Sequence, residues 1–286
     1  MTAQVLDGKA IAAACRRDIR QAVQRRLGAG LRPPGLAVVL VGDDAASEVY
    51  VNAKARDCRQ VGFHSVVERI AATVAQEALE ARILALNADT SIHGFLVQLP
   101  LPEHIDANRI IDLIDPAKDV DGFHPYNIGR LALRRPALRS CTPMGVMLLL
   151  DRTGMECRGA QATVISASNH IGRPMSLELL QAGCTVTVTH RFTRDVAAAA
   201  RQADILISAV GKPGLVQGDW IKPGAVVIDV GITRDERGKL HGDVDFDAAA
   251  KAAAWITPVP GGVGPMTRVA LLLNTLQAAD EVLDDG

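Results

Sequence analysis

Aromatic side chains are scarce in this chain. Phe, Trp and Tyr make up 3% of its 286 residues, so each one that falls in a loop is informative. An excess of charge of one sign is also missing: the formal net charge is −1, with basic and acidic residues scattered among each other. That leaves no electrostatic footprint for nucleic acid or an anionic membrane, and any anionic ligand must be held locally. No apolar run approaches the roughly 18 residues that cross a bilayer, and Met1 to Ala10 lacks a basic segment followed by an apolar one. A cytoplasmic protein is expected. The five cysteines (Cys15, Cys58, Cys141, Cys157, Cys184) form neither a C-x-x-C pair nor a zinc-ligand spacing with the seven histidines. Free, mostly buried thiols and no metal are therefore expected.

Apolar residue is plentiful. With 48% hydrophobic and 22% charged residues, a chain of this length can fill two buried cores. The stretch from Val41 to Cys58 follows an apolar run, Gly35 to Val41, and reads as a turn that starts a helix at or near Asp44. On that helix Tyr50 and Lys54 stand four residues apart and project from one face, a turn from each other. Ser47 and Cys58 extend that side, while Val51 and Ala55 form an apolar stripe that packs the helix down. This sets Lys54 near the rim of the core, where desolvation disfavours an ammonium and an amine can act as a base. Spacing alone favours a snorkelling surface lysine beside a half-buried tyrosine, and other stretches must change that balance.

A helix is expected over residues 8–29, with a glycine stop at Gly28 and Gly30. Strands at Leu36–Val41, Ser65–Ile70 and Gly94–Leu99 alternate with helices, which implies crossover units and a mainly parallel sheet. In such sheets ligands lie outside the carboxyl ends of the strands, where Gly42-Asp43-Asp44 and Gln98 fall. Leu99-Pro-Leu-Pro102 stiffens the exit and holds the Gln98 amide in place. The segment 115–127 is dense in charge and turn formers, yet Val120 and Phe123 argue that it is packed down with Asp121 facing a cleft.

A domain boundary is expected near residues 136–141, after which Thr142-Pro-Met opens a helix with a hydroxyl cap. Strands at Gln161–Ile165, Thr185–Thr189, Ile205–Val210, Ala225–Val230 and Trp255–Thr257 then read as a five-strand dinucleotide-type fold. The turn 166–175 sits where a phosphate loop belongs, but it is not G-x-G-x-x-G: Ser166 and Ser168 stand in place of glycines. About 25 residues on, the second strand ends in His190-Arg191, where a carboxylate would suit NAD and an arginine suits a 2′-phosphate. Thr257 to Thr267 holds three prolines and three glycines in eleven residues, a loop that brings bare backbone close to something.

Several ordered motifs resemble those of the bifunctional methylenetetrahydrofolate dehydrogenase/cyclohydrolase family over nearly the whole chain. They are Tyr50-x-x-x-Lys54, Val97-Gln-Leu-Pro-Leu-Pro102, residues 118–127 (KDVDGFHPYN), Gly172-Arg-Pro-Met175, Gly211-Lys-Pro-Gly214, Asp229-Val-Gly-Ile232 and Thr257 to Thr267. The resemblance implies an α/β protein of two domains: a folate-binding domain over 1–139, completed by a C-terminal helix over 265–286, and a Rossmann-type NADP domain over 140–264. It also implies a cleft at their join and a homodimer.

By position, Lys54 is then the cyclohydrolase lysine, Gln98 its hydrogen-bond partner, Tyr50 a substrate-positioning ring and Asp121 the pterin anchor. Ser166, Ala167, Ser168, Gly172, Arg173, Arg191 and Ile232 would contact NADP, and Pro258, Gly261 and Gly262 would border the folate. The implied activity oxidises 5,10-methylene-tetrahydrofolate and hydrolyses the product to 10-formyl-tetrahydrofolate. That is one-carbon chemistry of the kind feeding purine, methionine and histidine biosynthesis. Two positions depart from the family pattern: Ser166, usually glycine, and His170, usually aliphatic. If Ser166 is strained, glycine there would tighten cofactor binding. The alternatives are a dehydrogenase-only or NAD-preferring enzyme of the same fold, and a non-catalytic dinucleotide-binding regulator. Lys54 speaks against the first, Arg191 against NAD, and Lys54, Gln98 and Asp121 together against the regulator.

Overall fold

The computed structural model describes residues 2–284; positions 1, 285 and 286, at the outer ends of the expected folate domain and its closing helix, lie outside the described residues. The first half of the chain forms β1 (Gln4–Val5), α1 (Gly8–Gly28), β2 (Gly35–Val41), α2 (Ala45–Val61) and β3 (His64–Ile70). It continues with α3 (Gln76–Ala88), β4 (Gly94–Val97), α4 (Ala107–Leu113) and α5 (Pro125–Ala132). The second half opens with α6 (Cys141–Asp151), β5 (Gln161–Ile165), α7 (Gly172–Gln181), β6 (Thr185–Thr189) and α8 (Val196–Arg201). There follow β7 (Ile205–Ser208), β8 (Val226–Asp229), β9 (Thr233–Arg234) and β10 (Leu240–His241). The chain ends in α9 (Phe246–Ala249), β11 (Trp255–Ile256) and α10 (Val263–Asp284). Among the described residues no helix is long and apolar enough to cross a membrane.

These elements form two compact units. One comprises Ala14–Cys141 and the chain from Arg268 onward; the other comprises the chain through Ala13 and Thr142–Thr267. The first holds a parallel three-stranded sheet in the order β3-β2-β4. Strand β2 is buried at every position, as its unbroken apolar sequence GLAVVLV requires of a strand covered on both faces. Ala37, Val39 and Val41 pack with Phe95 and Val97 of β4 against Leu79, Ile83 and Leu86 of α3 and Ile110 of α4. Helix α2 begins where expected, since the Asp44 carboxylate accepts from Ser47 N at 2.7 Å, and it stops at Gly62 with φ 88°. From α10, Asn274 Nδ2 donates to the carbonyls of Val120 (2.8 Å) and Arg139 (2.7 Å), fastening the segment that carries Asp121.

The second unit holds a six-stranded parallel sheet in the order β1-β11-β8-β7-β5-β6. The reversal of order between β5 and β7 is the switch point at which nucleotides bind in such sheets. One strand more is present than the five expected: Gln4 and Val5 pair in parallel with Trp255 and Ile256. That pairing carries the first residues into this unit, whereas the sequence suggested the folate domain. Helix α6 also differs, starting at Cys141 with Thr142 inside it, and the Thr142 hydroxyl lies 3.1 Å from Thr267 Oγ1.

Candidate active site

In the first unit two of the four expected catalytic residues, Lys54 and Gln98, are in direct contact. Lys54, in the third turn of α2, is 8% exposed, and its Nζ donates to Gln98 Oε1 at 3.1 Å. Gln98 lies just past the carboxyl end of β4 and is oriented from its other side, Nε2 donating to Leu99 O at 2.8 Å. The amide is thus turned with its oxygen toward the amine. One turn earlier on α2, Tyr50 is 42% exposed and leaves its ring free for a ligand.

The segment that carries Asp121 is fastened to β4 at residues 118 and 119. Phe95 N donates to Lys118 O at 3.0 Å, and Phe95 bridges Asp119 in parallel register. Asp121 follows in the turn closed by Gly122 N donating to Asp119 O at 3.1 Å, and it lines a small cavity with Val97, Leu99, Asp119 and Phe123. Gly94 permits the approach, since a Cβ there would lie 2.1 Å from Val120 Cγ1.

The sequence singled out Asp121 and passed over Asp119, which does the holding. Its carboxylate, 2% exposed, accepts from Gly122 N (3.1 Å), Phe123 N (3.2 Å), His124 N (2.8 Å) and Asn127 Nδ2 (3.0 Å). Burial pushes Asp119 up to about 6 despite those donors, with Asp121 adding to the rise. Cys141 is the second residue missed. Its thiol is pushed well up, first by burial, then by Asp121, with Lys54 acting in the opposite direction. A buried thiol here therefore sits in the fields of both Asp121 and Lys54.

In the second unit the turn after β5 leads into α7 as expected. Gly172 is required there, because a Cβ would lie 2.3 Å from Ser166 O. Ser168 Oγ caps the helix, accepting from Ile171 N (3.3 Å) and Gly172 N (3.1 Å). Ser166 is not strained: among the described residues Arg134 is the non-glycine with positive φ, and Ser166 Oγ lies 3.2 Å from Ser168 Oγ. The expectation that glycine at 166 would relieve strain does not hold. Ala167 lies between the two serines, its carbonyl accepting from Arg173 Nε at 3.2 Å.

Arg173 and Arg191 are both exposed, and the Arg191 guanidinium stands 4.7 Å over the Phe192 ring. Ile232, 43% exposed, follows β8. An NADP molecule fits this set: a helix N-terminus behind a tight turn, two exposed arginines for phosphate groups, and no carboxylate at the end of β6 to repel a 2′-phosphate. In the 257–267 loop, Gly262 N donates to Pro258 O at 2.9 Å, and Gly261 has φ 109°. Gly8 packs onto this turn so closely that a Cβ would lie 1.8 Å from Gly262 O.

Residues 6–121 match the family model for the tetrahydrofolate dehydrogenase/cyclohydrolase catalytic domain, and residues 140–283 match that for its NAD(P)-binding domain. The chain belongs to the tetrahydrofolate dehydrogenase/cyclohydrolase family. Among solved structures it is similar to the bifunctional methylenetetrahydrofolate dehydrogenase/cyclohydrolase of Campylobacter jejuni, with 46% identity, 98% of this chain and 99% of the other covered, and a TM-score of 0.95. The Trypanosoma brucei methylenetetrahydrofolate dehydrogenase-cyclohydrolase, solved with NADP and an inhibitor, matches at 41% identity, 99% of each chain and a TM-score of 0.95. A 5,10-methylenetetrahydrofolate dehydrogenase from the silkworm Bombyx mori matches at 41% identity, 99% of each chain and a TM-score of 0.93.

Proposed function

We infer that this chain is a bifunctional enzyme. It oxidises 5,10-methylene-tetrahydrofolate to the 5,10-methenyl cation with NADP, and hydrolyses that cation to 10-formyl-tetrahydrofolate. The observation that carries the reading is the buried Lys54 amine hydrogen-bonded to Gln98, in a chain 41–46% identical to enzymes named for both activities.

When bound, NADP supplies the acceptor for the hydride leaving the methylene carbon. That step needs no protein base, because the cation produced is stabilised by two nitrogens; the chain's part is to orient the folate and exclude water. Asp121 would pair its carboxylate with the N–H edge of the pterin, and Tyr50 would lay its ring along the substrate. Hydrolysis does need a proton acceptor, since water must lose a proton as it attacks the methenyl carbon, and later a donor as the ring opens. Lys54 Nζ would accept the first proton and return it to the departing ring nitrogen, the carbinol hydroxyl giving its own proton to solvent as the formyl group forms. Gln98 Oε1 would keep the amine pointed at the reacting carbon. Pro258, Gly261 and Gly262 would border the folate with backbone.

For the cofactor, Ser166, Ala167, Ser168 and Gly172 would meet the pyrophosphate, Arg173 and Arg191 its phosphate charge, and Ile232 the nicotinamide half. The Lys54–Gln98 pair favours this reading over a dehydrogenase-only enzyme, and the exposed Arg191 favours NADP over NAD. A homodimer is supported by β6, an edge strand with Thr185, Thr187 and Val188 exposed, and a reducing cytoplasm suits five free thiols. Sedimentation would test the first. The enzyme itself is tested by absorbance: methenyl formation from methylene-tetrahydrofolate with NADP against NAD, then its decay in the absence of cofactor. Lack of enzyme-dependent decay would reduce the chain to a dehydrogenase.

A further inference from the structure

Two carboxylates outside the machinery described so far, Asp229 at the end of β8 and Asp243 after β10, are buried, and backbone bends around both. Asp229 closes β8. Its Oδ1 accepts from Gly231 N and Asp243 N, both at 3.0 Å, and its Oδ2 from Val244 N at 2.9 Å. Asp243, 0% exposed, reaches the other way: Oδ2 accepts from Ser208 Oγ and Val210 N, and Oδ1 from Lys212 N, each at 2.8 Å. Glycines make the room. A Cβ on Gly231 would lie 2.1 Å from Asp243 Oδ1, and one on Gly242 would lie 2.0 Å from Asp229 Oδ2. Thr233 Oγ1 adds a direct tie by donating to Gly211 O at 3.1 Å.

The turn after β7 is thus held by Asp243 and the turn after β8 by Asp229, and the bond from Asp243 N to Asp229 Oδ1 joins the two. Burying two neighbouring carboxylates is costly: Asp229 is pushed up to about 6, by burial first and with Asp243 contributing. What the arrangement secures is the placement of exposed groups, Val210 after β7 and Ile232 after β8. Both turns lie on one side of the switch point between β5 and β7, while the phosphate turn after β5 and Arg191 after β6 lie on the other. A dinucleotide laid across that point puts its two halves on opposite sides.

We propose that Asp243 is a positioning residue for the cofactor, locking the 210–212 and 230–233 turns in one register so that they receive the nicotinamide half of NADP. The proposal rests on the NADP reading above. Asp243→Asn keeps the side chain's size but sets an amide N–H₂ against backbone donors. The Kd of NADP, titrated by fluorescence without folate, should rise on the order of tenfold. The Kd of 2′,5′-ADP, which has no nicotinamide half, should stay within about twofold, as should cofactor-free hydrolysis of the methenyl cation.

Ser208→Ala, which leaves Asp243 its two backbone donors, should raise the NADP Kd by roughly two- to fivefold and carries the test if Asp243→Asn does not fold. Wild-type protein that fails to bind NADP would refute the cofactor reading itself. Wild-type binding with NADP affinity unchanged in both variants would overturn the positioning role alone. Parallel losses for NADP, 2′,5′-ADP and hydrolysis would overturn it too, by showing general loosening of the fold.

Discussion

Replacing Lys54 by Met removes the amine and little else. The side chain is buried with Nζ held by one hydrogen bond, 3.1 Å from Gln98 Oε1, and methionine fills nearly the same volume. The variant leaves the Gln98 oxygen without that donor, at a cost of about 1–3 kcal/mol if water does not reach it. The fold should withstand that, and a melting curve checks it. Hydrolysis is a different matter, because a positioned acid–base group contributes about 10²- to 10⁴-fold, equivalent to about 3–5 kcal/mol of barrier. The assay is the decay of methenyl-tetrahydrofolate absorbance, corrected for the uncatalysed rate, beside NADP-dependent formation of the same species. Hydrolysis should fall by at least about a hundredfold while oxidation falls much less, as its step asks for no base. A folded Lys54→Met enzyme hydrolysing at near the wild-type rate would refute the assignment and leave a solvent-only route.

Three further outcomes are expected. Asp121→Asn should lower kcat/KM for both reactions, since an amide replaces a charged acceptor in a pair worth about 1.5–3 kcal/mol; loss of one activity with the other intact would contradict a shared pterin site. Arg191→Ala should weaken NADP by roughly 10- to 150-fold with NAD little changed, an effect that fades with salt because the side chain is exposed. Equal losses for both cofactors would show that Arg191 does not read the 2′-phosphate. Asp119, raised to about 6 in the fold, binds its proton more tightly there than in the unfolded chain. Its contribution to stability is therefore greatest below about pH 4 and is lost as pH rises through about 6, by about 3 kcal/mol in all. Asp119→Asn should lack that dependence; urea unfolding from pH 4 to 7 checks it, and a wild-type-minus-variant difference constant with pH would count against it.

The alternating architecture was legible because its signals are local. An unbroken apolar run such as Gly35–Val41 can only be a strand covered on both faces, and Asp44 marked the start of α2 three residues before the amide it caps. Strand β1 left no such trace: Gln4 and Val5 are both exposed, too few for any period, and are strand only because Trp255 and Ile256 lie alongside. Thr142 looked like a cap by residue type, but its hydroxyl turns to Thr267, a partner sequence proximity does not reveal.

The candidate site was read unevenly for the same reason. Lys54 and Tyr50 follow from helical spacing, and the bond from Lys54 to Gln98 joins residues 44 apart in the chain. Asp119 and Asp121 look alike in a charged loop and both line the cavity, and only the bonds that Asp119 accepts from Gly122, Phe123, His124 and Asn127 mark it as the residue that holds the turn. For Asp229 and Asp243 a faint signal existed in their glycine neighbours, Gly231 and Gly242, which leave room for a carboxylate against bare backbone.

The pairing of β1 with β11 also sets an order of events during synthesis. The residues that finish the edge of the six-stranded sheet are made about 250 residues before their partners, on the order of ten to fifty seconds at ribosomal speed. Throughout that interval Gln4 and Val5 lack the strand they pair with, while β5 and β6, neighbours in the chain order, already have each other. Strand β1 cannot pair until β11 has been made.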